Sequence, residues 1–159
     1  MGFAPSKMQL KCDAFEPDGL MPSKFTGEGA DVSPSLSWIN PPQDTKGFAI
    51  FCHDPDAPLV TGDGTYGFVH WVLYNIPGNV TQLDEGTKDY TSGMSDYGQT
   101  GYKGPMPPNG HGIHRYYFWV LALKEMVELE PGLTMWQVLK TIEPRLIGMN
   151  RLVGQYKRD

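Results

Sequence analysis

The chain has 159 residues, enough for one domain (1–159) with a substantial core, and a formal net charge of −5 at pH 7. Its thirteen Lys and Arg are scattered apart from Lys157-Arg158, which excludes nucleic acid and an anionic membrane surface as expected partners. Nineteen glycines, fourteen prolines and 12% aromatics describe a turn-rich, strand-rich fold rather than disorder.

In chain order, residues 8–16 read as a first strand, ended by the turn residues Pro17-Asp18-Gly19. Leu36 to Ile39 is a short strand closed by Asn40-Pro41-Pro42. Phe48 to His53 is an apolar run bounded by Gly47 and Pro55, which suits a buried central strand. Phe68 to Asn75 is similar and stops at Pro77-Gly78; its period places His70 on one face with Phe68, Val72 and Tyr74. Glu85 to Ile113 is rich in glycine and proline and has no periodicity. A connection this long is usually functional, and its last part is expected to wall a site. His114 to Leu123 is the third strong strand, apolar on both faces and so expected to be covered on both sides. Thr134 and Gln137 fit a capping box opening a helix through Met135, Trp136, Val138, Leu139 and Ile142. Pro144 breaks that helix, Leu146-Ile147 reads as a second short helical piece capped by Gly148, and Leu152 to Tyr156 as a final strand.

No apolar run approaches the ~20 residues of a membrane span, and no basic-then-apolar leader opens the chain; the expectation is a soluble cytoplasmic protein. Cys12 and Cys52 lack metal-type spacing and read as two buried thiols rather than a disulfide. Three motif matches carry little weight. Met1 to Ser6 fits a loose myristoylation pattern without a second basic signal. Gly62 to Gly67 fits the dinucleotide fingerprint by letters, but a β-rich run follows it where a helix is required. Asn79-Val80-Thr81 is a glycosylation sequon with no secretory signal before it.

The chemistry-bearing residues sit at strand ends. Asp54 closes one apolar run, His70 lies in another, and His114 and Tyr116, two residues apart, share a face in the third. Each has a bland reading: a lone histidine on an apolar face is most often a hydrogen-bonded core residue, and Asp54 alone is an Asx turn into Pro55. The functional reading gains weight only if they meet. Two imidazoles, a phenol and loop amides would then offer donors to one small anion, with Asp54 orienting a histidine or, if protonated, donating a hydrogen bond itself.

Asp54-Pro55-Asp56-Ala57-Pro58, His70 in a strand, Gly104 to Pro108 and Gly112-Ile113-His114-Arg115-Tyr116 together resemble the phosphatidylethanolamine-binding proteins, also called the Raf kinase inhibitor protein family. The Ile147-Gly148 to Tyr156 ending is similar to the bacterial and archaeal YbhB/YbcL branch, and the resemblance covers roughly residues 8–156. It implies a mainly β fold with short C-terminal helices, a β-sandwich around a central antiparallel sheet. It implies ligand-binding positions at Asp54, His70, Pro107, His114 and Tyr116. Asp56, Pro58, Phe68, Met106 and Arg115 are expected to brace the pocket. Met106 stands where family members usually carry a small residue, and Phe68 where mammalian members carry tryptophan.

The expected function is a non-catalytic pocket for a phosphate or phospho-head group, with a regulatory role through a kinase or protease and dimerisation as a further expectation. The resemblance implies no cofactor and no metal. The chain has no Gly-x-Ser-x-Gly elbow. The rival reading is an enzyme using Asp54 with His70 or His114 for acid–base chemistry on a small phosphorylated metabolite. Its metal-dependent variant would use His111, His114 and Asp54. A third reading is a structural oligomer with a vestigial pocket, using aromatics such as Tyr90, Tyr97 and Tyr102 as an interface.

Overall fold

The computed structural model describes residues 6–57 and 67–159. The Met1–Ser6 motif (all but Ser6), Pro58 and the Gly62–Gly67 motif (all but Gly67) therefore lie outside the described residues. The elements run β1 (Gln9–Lys11), β2 (Leu36–Ile39), β3 (Gly47–Asp54), β4 (Phe68–Pro77), β5 (Gln82–Leu83), β6 (Thr91–Ser92), β7 (His114–Leu123), α1 (Met135–Ile142) and β8 (Leu146–Tyr156). They form two antiparallel sheets: a small one ordered β1-β2-β5 and a large one ordered β6-β4-β3-β7-β8.

Strand alternation builds three layers. On β3, Phe48, Ile50 and Cys52 face the small sheet and pack with its Leu10, Leu36, Trp38 and Leu83. Ala49 and Phe51 face the other way, onto Val138 and Ile142 of α1. The helix begins where the sequence places it: Thr134 accepts from the Gln137 amide and the Gln137 side chain accepts from the Thr134 amide. Burial of the β3 core side chains contributes about 1.5–3 kcal/mol each relative to exposure, which makes this strand the axis of the molecule.

Several expectations need correction. The first strand is only Gln9–Lys11, because the chain turns away after Cys12. No second helical piece follows Pro144. A 3-10 turn over Glu143–Arg145 leads directly into β8, which pairs with β7 from Leu146 opposite Leu123 to Tyr156 opposite His114. Gly148 looks like a cap in the sequence, but it and Gly154 serve close approach. A Cβ on Gly154 would meet the Met21 side chain at 2.6 Å, and one on Gly148 the Pro42 ring at 2.6 Å. β7 is covered on both sides only in its second half: Arg115 is exposed and Tyr117 and Trp119 are half-exposed, while Leu121 and Leu123 are buried. Both cysteines are free thiols, but Cys12 is only half-buried.

His70 does not share a face with Val72 and Tyr74. Cys52 pairs with Trp71 and His53 with Val69, so His70 is the extra, unpaired residue of a β-bulge. The bulge shifts the alternation by one. Val72 and Tyr74 join the α1 side, whereas Trp71 and Leu73 face the small sheet, and Phe68 and His70 line a cavity at the sheet's end.

Candidate functional site

The cavity opens at the end of the large sheet where β3 finishes, β4 begins and β7 begins, and it holds about 370 Å³. Antiparallel pairing brings those three strand ends together although their residues lie far apart in the chain. Asp54, His70, Pro107, His114 and Tyr116 all line it. Phe68 and Met106 line it too. Met106, 42% exposed, forms an apolar lip packed against Gly27. Asp56 and Arg115 bind each other: Asp56 Oδ2 accepts the Arg115 backbone N–H at 2.8 Å and lies 3.5 Å from its guanidinium.

Asp54 performs both tasks foreseen for it. Its Oδ1 accepts the Asp56 N–H at 2.8 Å, closing the Asx turn, and its Oδ2 accepts from His114 Nδ1 at 2.7 Å. Both side chains are about 95% buried, so this ion-pairing contact is poorly screened by solvent. It fixes the His114 ring with Nδ1 toward the carboxylate and Nε2 toward the cavity side.

His70 is held differently. Its Nδ1 donates to the Lys103 carbonyl at 2.7 Å, which makes Nε2 the ring nitrogen left for the cavity. Burial pushes its pKa below the ordinary imidazole value, against the opposing pull of the Lys103 carbonyl and the carboxylates of Asp54, Asp96 and Asp31. His70 is thus neutral at pH 7, and its Nε2 is an acceptor rather than the cationic donor the sequence suggested. Tyr116 stands edge-on to His70, with ring centroids 5.3 Å apart. Burial, then the neighbouring Asp54 charge, pushes its phenol well up, so it remains a hydrogen-bond donor at any physiological pH.

The glycine- and proline-rich segment supplies the opposite wall through Tyr97, Pro107, Pro108 and His111. Tyr97 packs edge-on to both Phe68 and His70, at 4.8 and 5.6 Å between centroids. It lines the pocket, and Tyr102 is partly buried against the core, its hydroxyl donating to the Phe25 carbonyl at 2.6 Å. The sequence offered no signal for Tyr97. Distant segments hold this wall. Asp31 accepts the Gly104 N–H at 2.7 Å and pairs with Lys103 at 2.9 Å. The Pro105 carbonyl accepts from Gly27, and the Pro107 carbonyl from the Arg158 guanidinium at 3.2 Å.

His111, His114 and Asp54 are strung in a line, His111 Nδ1 lying 3.1 Å from His114 Nε2. With His114 in the middle and both its nitrogens engaged, the three do not converge on a point. Among the described residues no group of three or more His, Cys, Asp or Glu is placed to hold a metal ion. Nor is any helix among them long and apolar enough to cross a membrane.

Known proteins share this architecture. A protein of Methanothermobacter thermautotrophicus named UPF0098 protein is 39% identical over 158 residues, covering 95% of this chain and 99% of its own. A UPF0098 protein of Aquifex aeolicus is 36% identical, covering 96% and 90%. Among solved structures, Escherichia coli YbcL, described as a member of the mammalian PEBP family, superposes with a TM-score of 0.86 at 28% identity, covering 97% of this chain and all of its own. A likeness at the fold level only, the carboxypeptidase Y inhibitor solved with its cognate proteinase, gives a TM-score of 0.56 at 18% identity, covering 96% and 83%. The sequence also matches the family described as phosphatidylethanolamine-binding protein over residues 11–157, and with the sandwich and its strand-end cavity this establishes that the chain belongs to the phosphatidylethanolamine-binding protein family.

Proposed function

We propose that this protein is a non-catalytic binding module, one domain over residues 1–159, whose strand-end cavity takes a small phosphate-type anion. The observation that carries the reading is the buried Asp54–His114 pair, 2.7 Å long, beside the Tyr116 donor and the His70 acceptor in one cavity. Tyr116 would donate to anionic oxygens, as would His114 Nε2 in the imidazolium form that a neighbouring carboxylate favours, and His70 Nε2 would accept from a protonated one. This complement suits a phosphate monoester carrying one proton, whose second ionisation lies near pH 6. The apolar walls of Phe68, Tyr97 and Met106 favour an organic ester or head group over the bare ion. We assign the protein a cytoplasmic regulatory role, exerted as a monomer or homodimer on a kinase or protease.

Calorimetric titration with phosphate and with O-phosphorylethanolamine tests this, using wild type, His70→Ala, His114→Ala and Tyr116→Phe. Binding by wild type that weakens in each variant, and that weakens also as pH rises from 6 to 8 and the ligand loses its proton, is expected. No binding by wild type at either pH would overturn the anion-site reading.

One observation favours the enzymatic alternative. A buried carboxylate fixing one imidazole nitrogen and turning the other toward a cavity is the arrangement of a general base. The cavity's described lining contains no serine, threonine, cysteine or lysine, so such an enzyme would act by proton transfer or by activating water. Release of inorganic phosphate, or isomerisation, on screening phosphorylated metabolites would establish this reading over the first.

A further inference from the structure

The contact between His111 and His114 is not explained by an anion site built from Asp54, His70, His114 and Tyr116. His114 has Nδ1 on Asp54 at 2.7 Å and Nε2 on His111 at 3.1 Å, so both ring nitrogens are engaged inside the protein. The nitrogen that would face an anion is already capped. An oxyanion reaching His114 Nε2 must first separate the two imidazoles, whose ring centroids lie 5.3 Å apart.

The two histidines differ in how firmly they are held. His114 is 4% exposed and lies inside β7, whereas His111 is exposed and lies on the loop before it. Among the described residues, His111 has no other side-chain hydrogen bond; its backbone N–H alone is tied, to the Pro108 carbonyl. Gly110 and Gly112 flank it at φ 71° and 84°, both in the left-handed region, and nothing lies within 4 Å of where their Cβ atoms would stand. The segment is thus free of side-chain packing on either side of His111. Its ring can leave His114 by side-chain rotation without breaking any packed contact of these neighbours.

Given the anion-site reading, on which this rests, we infer that His111 is a third ligand-binding imidazole that exchanges partners: it caps His114 Nε2 in the empty pocket and donates to the anion when one enters. Capping keeps His114 Nε2 from being an unpaired polar atom in an otherwise apolar cavity. The exchange also sets specificity. With His114 in the imidazolium form that a neighbouring carboxylate favours, its Nε2–H donates to His111 Nδ1 in the empty pocket and to the anion in the filled one; His111, His114 and Tyr116 then offer three donors and His70 one acceptor, a set that a singly protonated phosphate can satisfy through separate oxygens. A phosphate presents a separate oxygen to each donor, whereas a carboxylate must share one of its two oxygens between donors and has no proton for His70 Nε2. His111 therefore selects phosphate-type ligands over carboxylates.

Titrating inorganic phosphate and, separately, acetate into the protein while following the imidazole nitrogens by NMR tests this, with calorimetry on wild type, His111→Ala and His111→Asn. Phosphate should move the ring nitrogens of His111 and His114 along one saturation curve. His111→Ala should weaken phosphate binding by about tenfold or more, the loss of one charge-assisted hydrogen bond, and leave acetate nearly unchanged. His111→Asn, which keeps a donor near the Nδ1 position, should recover part of the loss. His111 nitrogens that stay still while His114 saturates, or phosphate binding by His111→Ala as tight as or tighter than wild type, would overturn the inference and leave the anion site standing. No response of any imidazole to phosphate would overturn both together.

Discussion

The two halves of β7 are built from the same alternation and do opposite things. In the far half, Phe118, Val120 and Ala122 face the small sheet, Leu121 and Leu123 face α1, and all are apolar and buried. In the near half, His114 and Tyr116 are buried just as fully, 4% and 1% exposed, yet each is polar and turned toward a cavity. Apolar burial needs only the right face and the right volume. Polar burial needs a named partner for each atom, and here those partners come from elsewhere: Asp54 from β3, His111 from the preceding loop, and the Lys103 carbonyl for the neighbouring His70. The far half is held by periodicity, the near half by chain segments brought from a distance.

The largest effect that separates the halves should come from Phe118→Ala. Phe118 is fully buried, and its removal is expected to cost about 3–5 kcal/mol in urea unfolding through lost burial and a residual cavity. Ligand affinity of the fraction that remains folded should be unchanged. Altered affinity under native conditions would show that the two halves are one cooperative unit and dissolve the contrast.

A smaller and opposite effect is expected from Gly104→Ala. Gly104 lies against the Phe25 carbonyl, and an added Cβ would collide with that backbone. Its own N–H is held by Asp31, so the wall segment cannot simply rotate away. Displacing it should cost about 1–3 kcal/mol, as overpacking does. Because Lys103 is adjacent and its carbonyl holds His70, the same shift should weaken anion binding, which Phe118→Ala does not. Crystallography or NMR of the variant showing His70 undisturbed, together with wild-type affinity, would break the claim that the wall positions the site.

This contrast also explains what was legible in the sequence. The far half of β7, the β3 core and the Thr134 cap are local signals: a period of two, a period of 3.6 and a four-residue motif. All are present in the structure as expected. Asp54, His114 and Tyr116 were legible because they end or open strong strands. The orientation of His70 was not, because a bulge depends on register with β3 and leaves no mark in β4 alone. Tyr97 was unreadable as a pocket residue for a related reason, and His111 was legible only as part of the metal-dependent alternative. Their segment has no period, and its course is fixed by Asp31, Gly27 and Arg158, residues about 50 to 80 positions away. The Leu152–Tyr156 end of β8 was legible, but its start was misjudged because Gly148 resembles a helix cap until the Pro42 ring packed against it is known.

The smallest expected effect concerns acid stability and comes from His70, the β4 residue that shares the cavity with the near half of β7. Burial lowers the His70 pKa in the folded state, with the Lys103 carbonyl and Asp54, Asp96 and Asp31 opposing but not cancelling it. In the unfolded chain the imidazole regains its ordinary pKa of about 6.5. Below that pH the unfolded state therefore binds more protons than the folded state, and folding stability rises with pH across the window between the two values. The neutral-His70 contribution is complete above about pH 6.5 and is lost as pH falls through the window toward the folded pKa. His53, on the opposite face, is lowered by burial as well and contributes a slope of the same sign, so a variant is needed to separate them. In His70→Asn, the side-chain N–H can still donate to the Lys103 carbonyl, but nothing titrates at this position. A urea-midpoint series from pH 5 to 8 should show a shallower acid limb in His70→Asn than in wild type, with the two converging in slope above about pH 7. Parallel limbs would mean that His70 exchanges protons as freely folded as unfolded. That would make its site water-filled and its Nε2 a cationic donor below pH 6.5 rather than an acceptor, reversing the role given to it in holding a protonated phosphate oxygen.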